Sequence, residues 1–468
     1  MKRTLLAIAL FIPLVLSAKP AYKLTLQVDG SSDTILLMGY YHAQHTYIMD
    51  TARNNGKGRF VFEGDRELKP GLYFFTNNRD RFVEFVVYHE KPTFQFHTNE
   101  RAWLESMQVK GSRQNEVYYQ YQRASERLYQ EMQETKPTMD SAAFVEYRRQ
   151  QHLRIDSLKL ATMKQYPESM FAKMMRACTN VDEHVPTHHP DSTEMSRRER
   201  YEWYMQHYFD YMPLDDDFII RTPKEVFYQR LTDYTDKYMR GMTPEMICPL
   251  LDSIIDRAEP APEVYRWLIE TLSEKYLQSN IMVYDEIYVH LVQRYLATGK
   301  ADWFSPSAID MNVERANKWE RLLVGREAPE LILFDTNRYA YSLHRMRGDY
   351  TLLLFWSPTC GHCREIIPEI YKVFEQYADT LNLTAFAILS EPDDGTVVKW
   401  KKFLADHNMT DRRWVNLNGG EANIDWHDVY DVTTTPQIYL VENKDHTFIA
   451  KKLNAKIFND ICKNLLNR

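Results

Sequence analysis

Two of the five cysteines in this chain stand three residues apart, in Cys360-Gly361-His362-Cys363, directly behind an apolar run at 351–356 and a Ser357-Pro358-Thr359 turn. The run is continuous and short, as in a strand buried on both faces, and residues 363–378 carry apolar side chains at helical spacing. A strand, a tight turn and a helix opening at Cys360 put the first sulfur where the unpaired N–H groups and the positive dipole end of the helix converge. A thiolate is favoured there. Protonated His362 adds a second positive charge, and both effects lower the Cys360 thiol from its free value of about 8.5. The same shift makes Cys360 a better leaving group and biases the pair toward giving up a disulfide. Cys363, one turn into the helix, is expected to be the more buried, resolving thiol.

A Cys-x-x-Cys pair also occurs in zinc ribbons, but those need a second Cys pair or histidines to complete four ligands. No second pair exists in the sequence. Cys462 lies in an amphipathic pattern and reads as a core residue, while Cys178 and Cys248 read as isolated buried thiols. Five cysteines in 468 residues are too few for a disulfide framework. His184, His188 and His189 are interrupted and followed by Pro186 and Pro190 and lack clean ligand spacing, so a solvated linker is expected there. Asp215-Asp216-Asp217 lacks the alternating ligands and the glycine of an EF-hand loop, and predicts a helix cap or a turn. No metal is expected.

The rest of the chain divides by hydrophobic period. From 22 to 109 apolar residues alternate, as in Leu24, Leu26 and Val28 or Phe94 and Phe96, with turn signals at Asp29-Gly30, Asn55-Gly56 and Pro70-Gly71. This predicts a small antiparallel, β-sandwich-like module over 19–111. Over 112–323 the period becomes helical, as in Val117, Tyr121, Ala124, Leu128 and Met132, which predicts an α-helical domain. Over 324–468 strands and helices alternate: beyond the dithiol come a buried strand at 383–389, a helix around 397–407, a hairpin of 437–442 with 447–452, and a closing helix at 457–466. The expected fold class is therefore a multidomain chain, with an all-β module, a helical domain and an α/β domain that carries the dithiol. Charged residues of both signs are interspersed and the formal charge is −7, so no basic field exists to hold a nucleic acid.

Residues 1–18 place Lys2 and Arg3 ahead of an apolar run from Leu5 to Leu16, followed by Ser17 and Ala18, the pattern of a secretory signal peptide. No later stretch approaches the ~20 apolar residues of a membrane span, so the mature chain is expected to have none. In an oxidising compartment an exposed dithiol survives only where something reduces it or uses its disulfide. Redox chemistry in the periplasm or cell envelope follows as the expectation.

The run Phe355-Trp356-Ser357-Pro358-Thr359-Cys360-Gly361-His362-Cys363, with Pro368 in the following helix, resembles the thioredoxin active site, and Thr433-Thr434-Thr435-Pro436 is similar to that family's cis-proline loop. Val324-Gly325-Arg326-Glu327-Ala328-Pro329 and Tyr341-Ser342-Leu343 resemble the leading hairpin of the TlpA/ResA-type exported thiol:disulfide oxidoreductases. The two preceding modules are similar to extensions that such domains carry in cell-envelope proteins of Bacteroidota. Over 324–468 the resemblance implies a thioredoxin-like fold and a thiol:disulfide oxidoreductase. It further implies Cys360 as nucleophile, Cys363 as resolving thiol, Trp356 and His362 as tuning residues, and Thr435 and Pro436 as substrate-binding residues. No cofactor is implied beyond a redox-active Cys360–Cys363 disulfide; the implied partners are protein thiols and disulfides of the envelope, with a membrane thiol donor. Gly361-His362 resembles the dipeptide of protein disulfide isomerase, which sets the expected potential between about −270 and −120 mV. A proline facing the dithiol removes a backbone donor and leaves neighbouring main-chain groups open to an extended substrate.

The sequence also departs from those families. Leu354 stands where thioredoxins keep a buried Asp, and Ile366 where ResA-like proteins carry a Glu, leaving Glu365 as the candidate base for Cys363. Peroxiredoxins are the nearest competing enzyme class, but they place a Thr three residues before the cysteine and a Pro further upstream, positions held here by Ser357 and Leu353. The alternative from a different class is an envelope binding or scaffold protein whose thioredoxin-like domain is auxiliary. A piece beginning near Glu320 is expected to hold its own core.

Overall fold

The computed structural model describes residues 20–467 apart from 78–81, 137–139 and 180, so the expected signal segment at 1–18 lies outside the described residues. The chain forms two compact units, one of residues 20–240 with Ser253–Tyr265 and one of Gly241–Asp252 with 266–467.

The first unit begins with eight strands: β1 (Tyr22–Asp29), β2 (Ile35–His42), β3 (His45–Arg53), β4 (Arg59–Gly64), β5 (Gly71–Thr76), β6 (Phe82–Val87), β7 (Gln95–Asn99) and β8 (Gln108–Lys110). They make two four-stranded sheets, ordered β4-β1-β7-β8 and β3-β2-β5-β6. The alternation in β1 buries Tyr22, Leu24, Leu26 and Val28, which share an aromatic interior with Phe60, Phe62, Phe75, Phe85 and Phe96. Phe75 and Phe85 stack at 4.5 Å within it. One pairing departs from the antiparallel expectation: β1 runs parallel to β7. The chain visits the other sheet between these two strands, and such a long crossover is what parallel pairing requires.

Five helices follow in this unit: α1 (Arg113–Thr135), α2 (Ser141–Gln165), α3 (Met170–Ala177), α4 (Arg197–His207) and α5 (Tyr228–Asp233). Side-chain caps from Ser112, Asp140, Ser169 and Ser196 open the first four, the last as a capping box with Glu199. Buried Asn115 docks α1 on β6 by mimicking a strand: its Nδ2 donates to the Val86 carbonyl and its Oδ1 accepts from the Val86 N–H, both at 2.7 Å. The aspartate triplet is a cap and a turn, as expected. Asp216 accepts the Tyr88 hydroxyl at 2.6 Å and Lys173 Nζ at 2.9 Å, and Asp217 Oδ1 accepts the N–H groups of Glu263 and Val264. His189 pairs with Glu199 at 3.4 Å, and among the described residues no group of three or more His, Cys, Asp or Glu side chains could hold a metal ion. Cys178, expected to be buried, is exposed, because it is the residue that ends α3.

Helices α6 (Pro244–Arg257) and α7 (Pro262–Leu277) have residues in both units; the second unit continues with α8 (Asp285–Leu291) and α9 (Pro306–Arg321). Its sheet is built from β9 (Ile332–Asp335), β10 (Ala340–Ser342), β11 (Tyr350–Trp356), β12 (Leu383–Leu389), β13 (Trp414–Ala422), β14 (Gln437–Glu442) and β15 (Thr447–Lys451). The order is β10-β9-β13-β12-β11-β14-β15, with β11, β12 and β13 parallel and the outer pairings antiparallel. Four helices complete it: α10 (Gly361–Tyr377), α11 (Asp394–Asp406), α12 (Trp426–Val429) and α13 (Ala455–Leu466). β12 is buried at all seven positions because both faces of the sheet are covered. The pleat of β11 sends Leu352, Leu354 and Trp356 into one apolar cluster, shared with α10 and α13, and Leu353 and Phe355 into the other. Cys462 is fully buried in the first of these, as expected. Met282, from the connection between α7 and α8, packs against that same cluster, so the core of the dithiol region is not bounded at 320.

Candidate active site

β11 ends at Trp356 and the turn that follows is held by hydrogen bonds that its residue types supply. The Ser357 carbonyl accepts the Cys360 N–H at 3.2 Å, and the Ser357 and Thr359 hydroxyls meet at 2.7 Å. Cys360 is the capping residue of α10, in extended conformation, and its Sγ lies 3.4 Å from the Cys363 N–H where a Ser or Asp oxygen would ordinarily sit. The same sulfur donates to the Thr435 carbonyl at 3.3 Å, and the Thr435–Pro436 peptide bond is cis. The two segments that resemble the thioredoxin pattern, 75 residues apart in sequence, are thus joined at one sulfur.

The two thiols are pushed in opposite directions. Partial burial works to raise Cys360, but hydrogen bonds from Cys363, side chain and backbone, from Thr435 and from the His362 N–H outweigh it and hold the thiol below its ordinary value. Cys363 is fully buried, and burial pushes it up to about 12. Both thiols are free, and the arrangement is that of a dithiol with one sulfur poised as thiolate and the other kept protonated.

The remaining expected residues divide. Trp356 is fully buried, with its ring 5.2 Å from Phe403 and its indole N–H without a hydrogen-bond partner. His362 is exposed, and its main-chain N–H is what reaches the Cys360 sulfur. Glu365 is exposed as well. It follows Cys363 by two positions, about 200° around the helix, which does not bring its carboxylate to the buried sulfur. Leu354 shares the apolar cluster with Cys363, Ile367 and Ile370.

Beside the dithiol lies a groove of about 680 Å³ whose lining includes His362, Ile366, Thr434 and Pro436 on one side and Asn280 and Trp319 on the other. Sequence reasoning missed the second side. Trp319 on α9 donates its indole N–H to Asp431 at 2.7 Å, in the loop that leads to Pro436. Asp285, at the start of α8, is bonded by Lys451 and Lys452 at the end of β15, each at 2.6 Å. A lysine at the end of the otherwise apolar β15 was the one available signal that a buried carboxylate must come from elsewhere.

The mixed seven-stranded sheet, the dithiol at the head of α10 and the cis Thr435–Pro436 bond at its sulfur define a thioredoxin-like domain. Residues 324–444 match the AhpC/TSA family, and upstream residues 22–118 and 164–318 match two domains of unknown function, DUF4369 and DUF5106. Among curated relatives, thioredoxin-like protein YneN of Bacillus subtilis is 27% identical over 120 residues, 26% of this chain and 66% of that protein. Thiol-disulfide oxidoreductase YkuV of the same organism is 35% identical over 60 residues, 13% of this chain and 40% of that protein. The chain thus spans less than two thirds of either relative. A crystal structure of a thioredoxin-like protein from Bacteroides caccae is similar at 20% identity and a TM-score of 0.49, covering 60% of this chain and 97% of that one. A domain of a possible thiol-disulfide isomerase from Cytophaga hutchinsonii is similar at 27% identity and a TM-score of 0.28, covering 31% and 97%.

Proposed function

We propose that the protein is an exported thiol:disulfide oxidoreductase that exchanges disulfides with protein cysteines through Cys360 and Cys363. The observation that carries this reading is the opposed state of the two sulfurs: Cys360 accessible and stabilised as thiolate by the first turn of α10, Cys363 buried and held as thiol. In the reductive direction the Cys360 thiolate attacks one sulfur of a substrate disulfide, forming a mixed disulfide and expelling the other substrate sulfur as thiolate. Cys363 then loses its proton and attacks Cys360 Sγ, releasing the second substrate thiolate and leaving the Cys360–Cys363 disulfide. Two electrons pass to the substrate, and an external thiol donor, at the membrane in the envelope setting, returns them. Thr435 and Pro436 meet the substrate chain beside the sulfur, and Trp356 supplies the packed floor of the turn.

Export is supported by the basic and apolar pattern of residues 1–18, and no helix among the described residues is long and apolar enough to cross a membrane. The name of one curated relative, thiol-disulfide oxidoreductase YkuV, agrees with the reaction class. The test is a pair of variants: Cys360→Ser removes reduction of a disulfide-bonded protein, while Cys363→Ser accumulates the mixed disulfide, seen by mass spectrometry. Equal residual activity in both variants overturns the assignment.

A further inference from the structure

Building on the oxidoreductase reading, we infer that Trp319, from the helical segment that precedes the dithiol domain, determines specificity by forming the far wall of a groove for an extended polypeptide beside the substrate disulfide. His362, Ile366, Thr434 and Pro436 of the dithiol domain and Asn280 and Trp319 of the preceding helical segment line the groove together. Its volume of about 680 Å³ is far more than a bare disulfide needs and falls within the range of roughly 300–1,000 Å³ typical of sites for larger ligands. Pro436 offers no N–H and the Thr433 N–H is already spent on the Asp431 carbonyl at 3.0 Å, so exposed Thr434 is the main chain that the near wall offers to an extended partner strand.

The far wall is rigid. The indole of Trp319 is tied to Asp431 at 2.7 Å, lies 5.1 Å from the Tyr288 ring and has Lys452 Nζ 5.6 Å from its centroid. Lys452 in turn is held by Asp285 at 2.6 Å and by the Ser279 carbonyl at 2.7 Å. A half-buried aromatic face fixed in this way loses little conformational freedom when a ligand stacks on it, the property that makes Trp a frequent anchor of binding. In the groove Asp285 and Asp431 balance Lys451 and Lys452 in charge, and each is bonded to a protein partner. The surface left to the occupant is therefore aromatic and neutral-polar, which suits a segment with apolar or aromatic side chains next to its cysteine. Cys360 lies outside the groove lining, so a small disulfide that reaches it has nothing to lay along the wall.

The experiment compares kcat/KM of the full chain for reducing insulin disulfides with that for hydroxyethyl disulfide. Trp319→Ala is expected to lower the insulin-to-small-disulfide ratio by about tenfold, through KM, and Trp319→Phe to recover most of it. A ratio that stays unchanged in Trp319→Ala, or a loss lying equally in kcat for both substrates, overturns the proposal. If Trp319→Ala fails to fold, Asn280→Trp obstructs the groove from an exposed position on the same wall; the same drop supports the wall and an unchanged ratio overturns it. Wild-type protein that reduces neither substrate overturns the oxidoreductase reading itself, an outcome distinct from an unchanged ratio.

Discussion

In the N-terminal unit, Glu84 receives the Tyr41 hydroxyl at 2.6 Å on one oxygen and the Tyr118 hydroxyl at 2.7 Å on the other. Tyr22 is bonded to Asp50 and Tyr88 to Asp216 in the same way. In the C-terminal unit the layer around Cys363 is instead Leu352, Leu354, Trp356, Ile367 and Ile370, all fully buried and apolar. The first arrangement consumes hydroxyls and carboxylates in fixing a scaffold, and burial, reinforced by the carboxylate partner, pushes the Tyr118 hydroxyl well above its usual range. The second leaves a sulfur with no acidic neighbour in its cluster, so its protonation follows burial first and the neighbouring Cys360 sulfur after it. Cys360, whose Sγ lies 3.4 Å from the Cys363 backbone nitrogen, is instead governed by hydrogen bonds from the Cys363 side chain and from the main chain of the helix start. What separates the two cysteines chemically is therefore the helix end and the apolar floor, not a dedicated acid or base.

The largest effect that follows is a gap in thiol reactivity. With its pKa near 12, Cys363 is ionised in only about one molecule in 100,000 at pH 7, whereas Cys360, held below the ordinary thiol value, is ionised far more often. Iodoacetamide should label Cys360 at least about a thousandfold faster than Cys363 at that pH, read by peptide mass spectrometry. The Cys360 rate should fall as pH drops through its depressed pKa and level off above it. Comparable labelling of the two cysteines would break the contrast.

A smaller effect probes a buried ion pair of the C-terminal unit. Lys451 is 6% exposed and Asp285 2%, and the lysine also donates to the Leu322 carbonyl at 3.0 Å. Asp285→Ala leaves that ammonium buried without its carboxylate and should cost about 3–5 kcal/mol in urea unfolding. Tryptophan fluorescence reports it, since of nine tryptophans only Trp103 and Trp203 belong to the first unit. Burial already holds the Lys451 pKa below its unfolded value, and losing Asp285 lowers it further. A lysine depressed in the folded state binds more protons when unfolded, so stability rises with pH and is lost as pH falls. The deficit of Asp285→Ala should therefore narrow as pH is raised. A piece starting near Glu320 also lacks Asp285 and Met282, and should be destabilised for the same reason, against the expectation drawn from the sequence.

The strand, turn and helix around the dithiol were legible because local rules suffice there: a continuous apolar run, Pro358 in the turn, and a cysteine at the helix cap. The β1 alternation and the capping role of Asp216 were legible for the same reason. β13 was not, since Asn416, Asn418, Gly419 and Gly420 interrupt any alternation; its place between β12 and β9 is set by neighbours distant in sequence. The near side of the groove came from a resemblance that begins at residue 324. Its far side came from Asn280, Asp285 and Trp319, which carry no spacing or motif and acquire meaning only when the helical segment packs beside the sheet. Asn115 is the same case in the other unit, an unremarked polar residue that completes a strand edge.

The smallest expected effect belongs to Glu365, and it tests whether the site works without a carboxylate. In the proposed reaction, resolution of a mixed disulfide needs the Cys363 thiolate, and with the thiol near 12 the thiolate fraction rises about tenfold per pH unit throughout the neutral range. If no side chain serves as base, wild type and Glu365→Gln should resolve a preformed mixed disulfide on parallel pH profiles, within about twofold of each other by rapid quench. A positioned general base is worth about 100-fold or more, and it would flatten the wild-type profile above its own pKa. A loss of that size in Glu365→Gln, together with a profile that steepens, would show that the carboxylate swings from its exposed position to the buried sulfur during turnover. Parallel profiles would leave the proton of Cys363 to water, as the exposed face of α10 on which Glu365 stands requires.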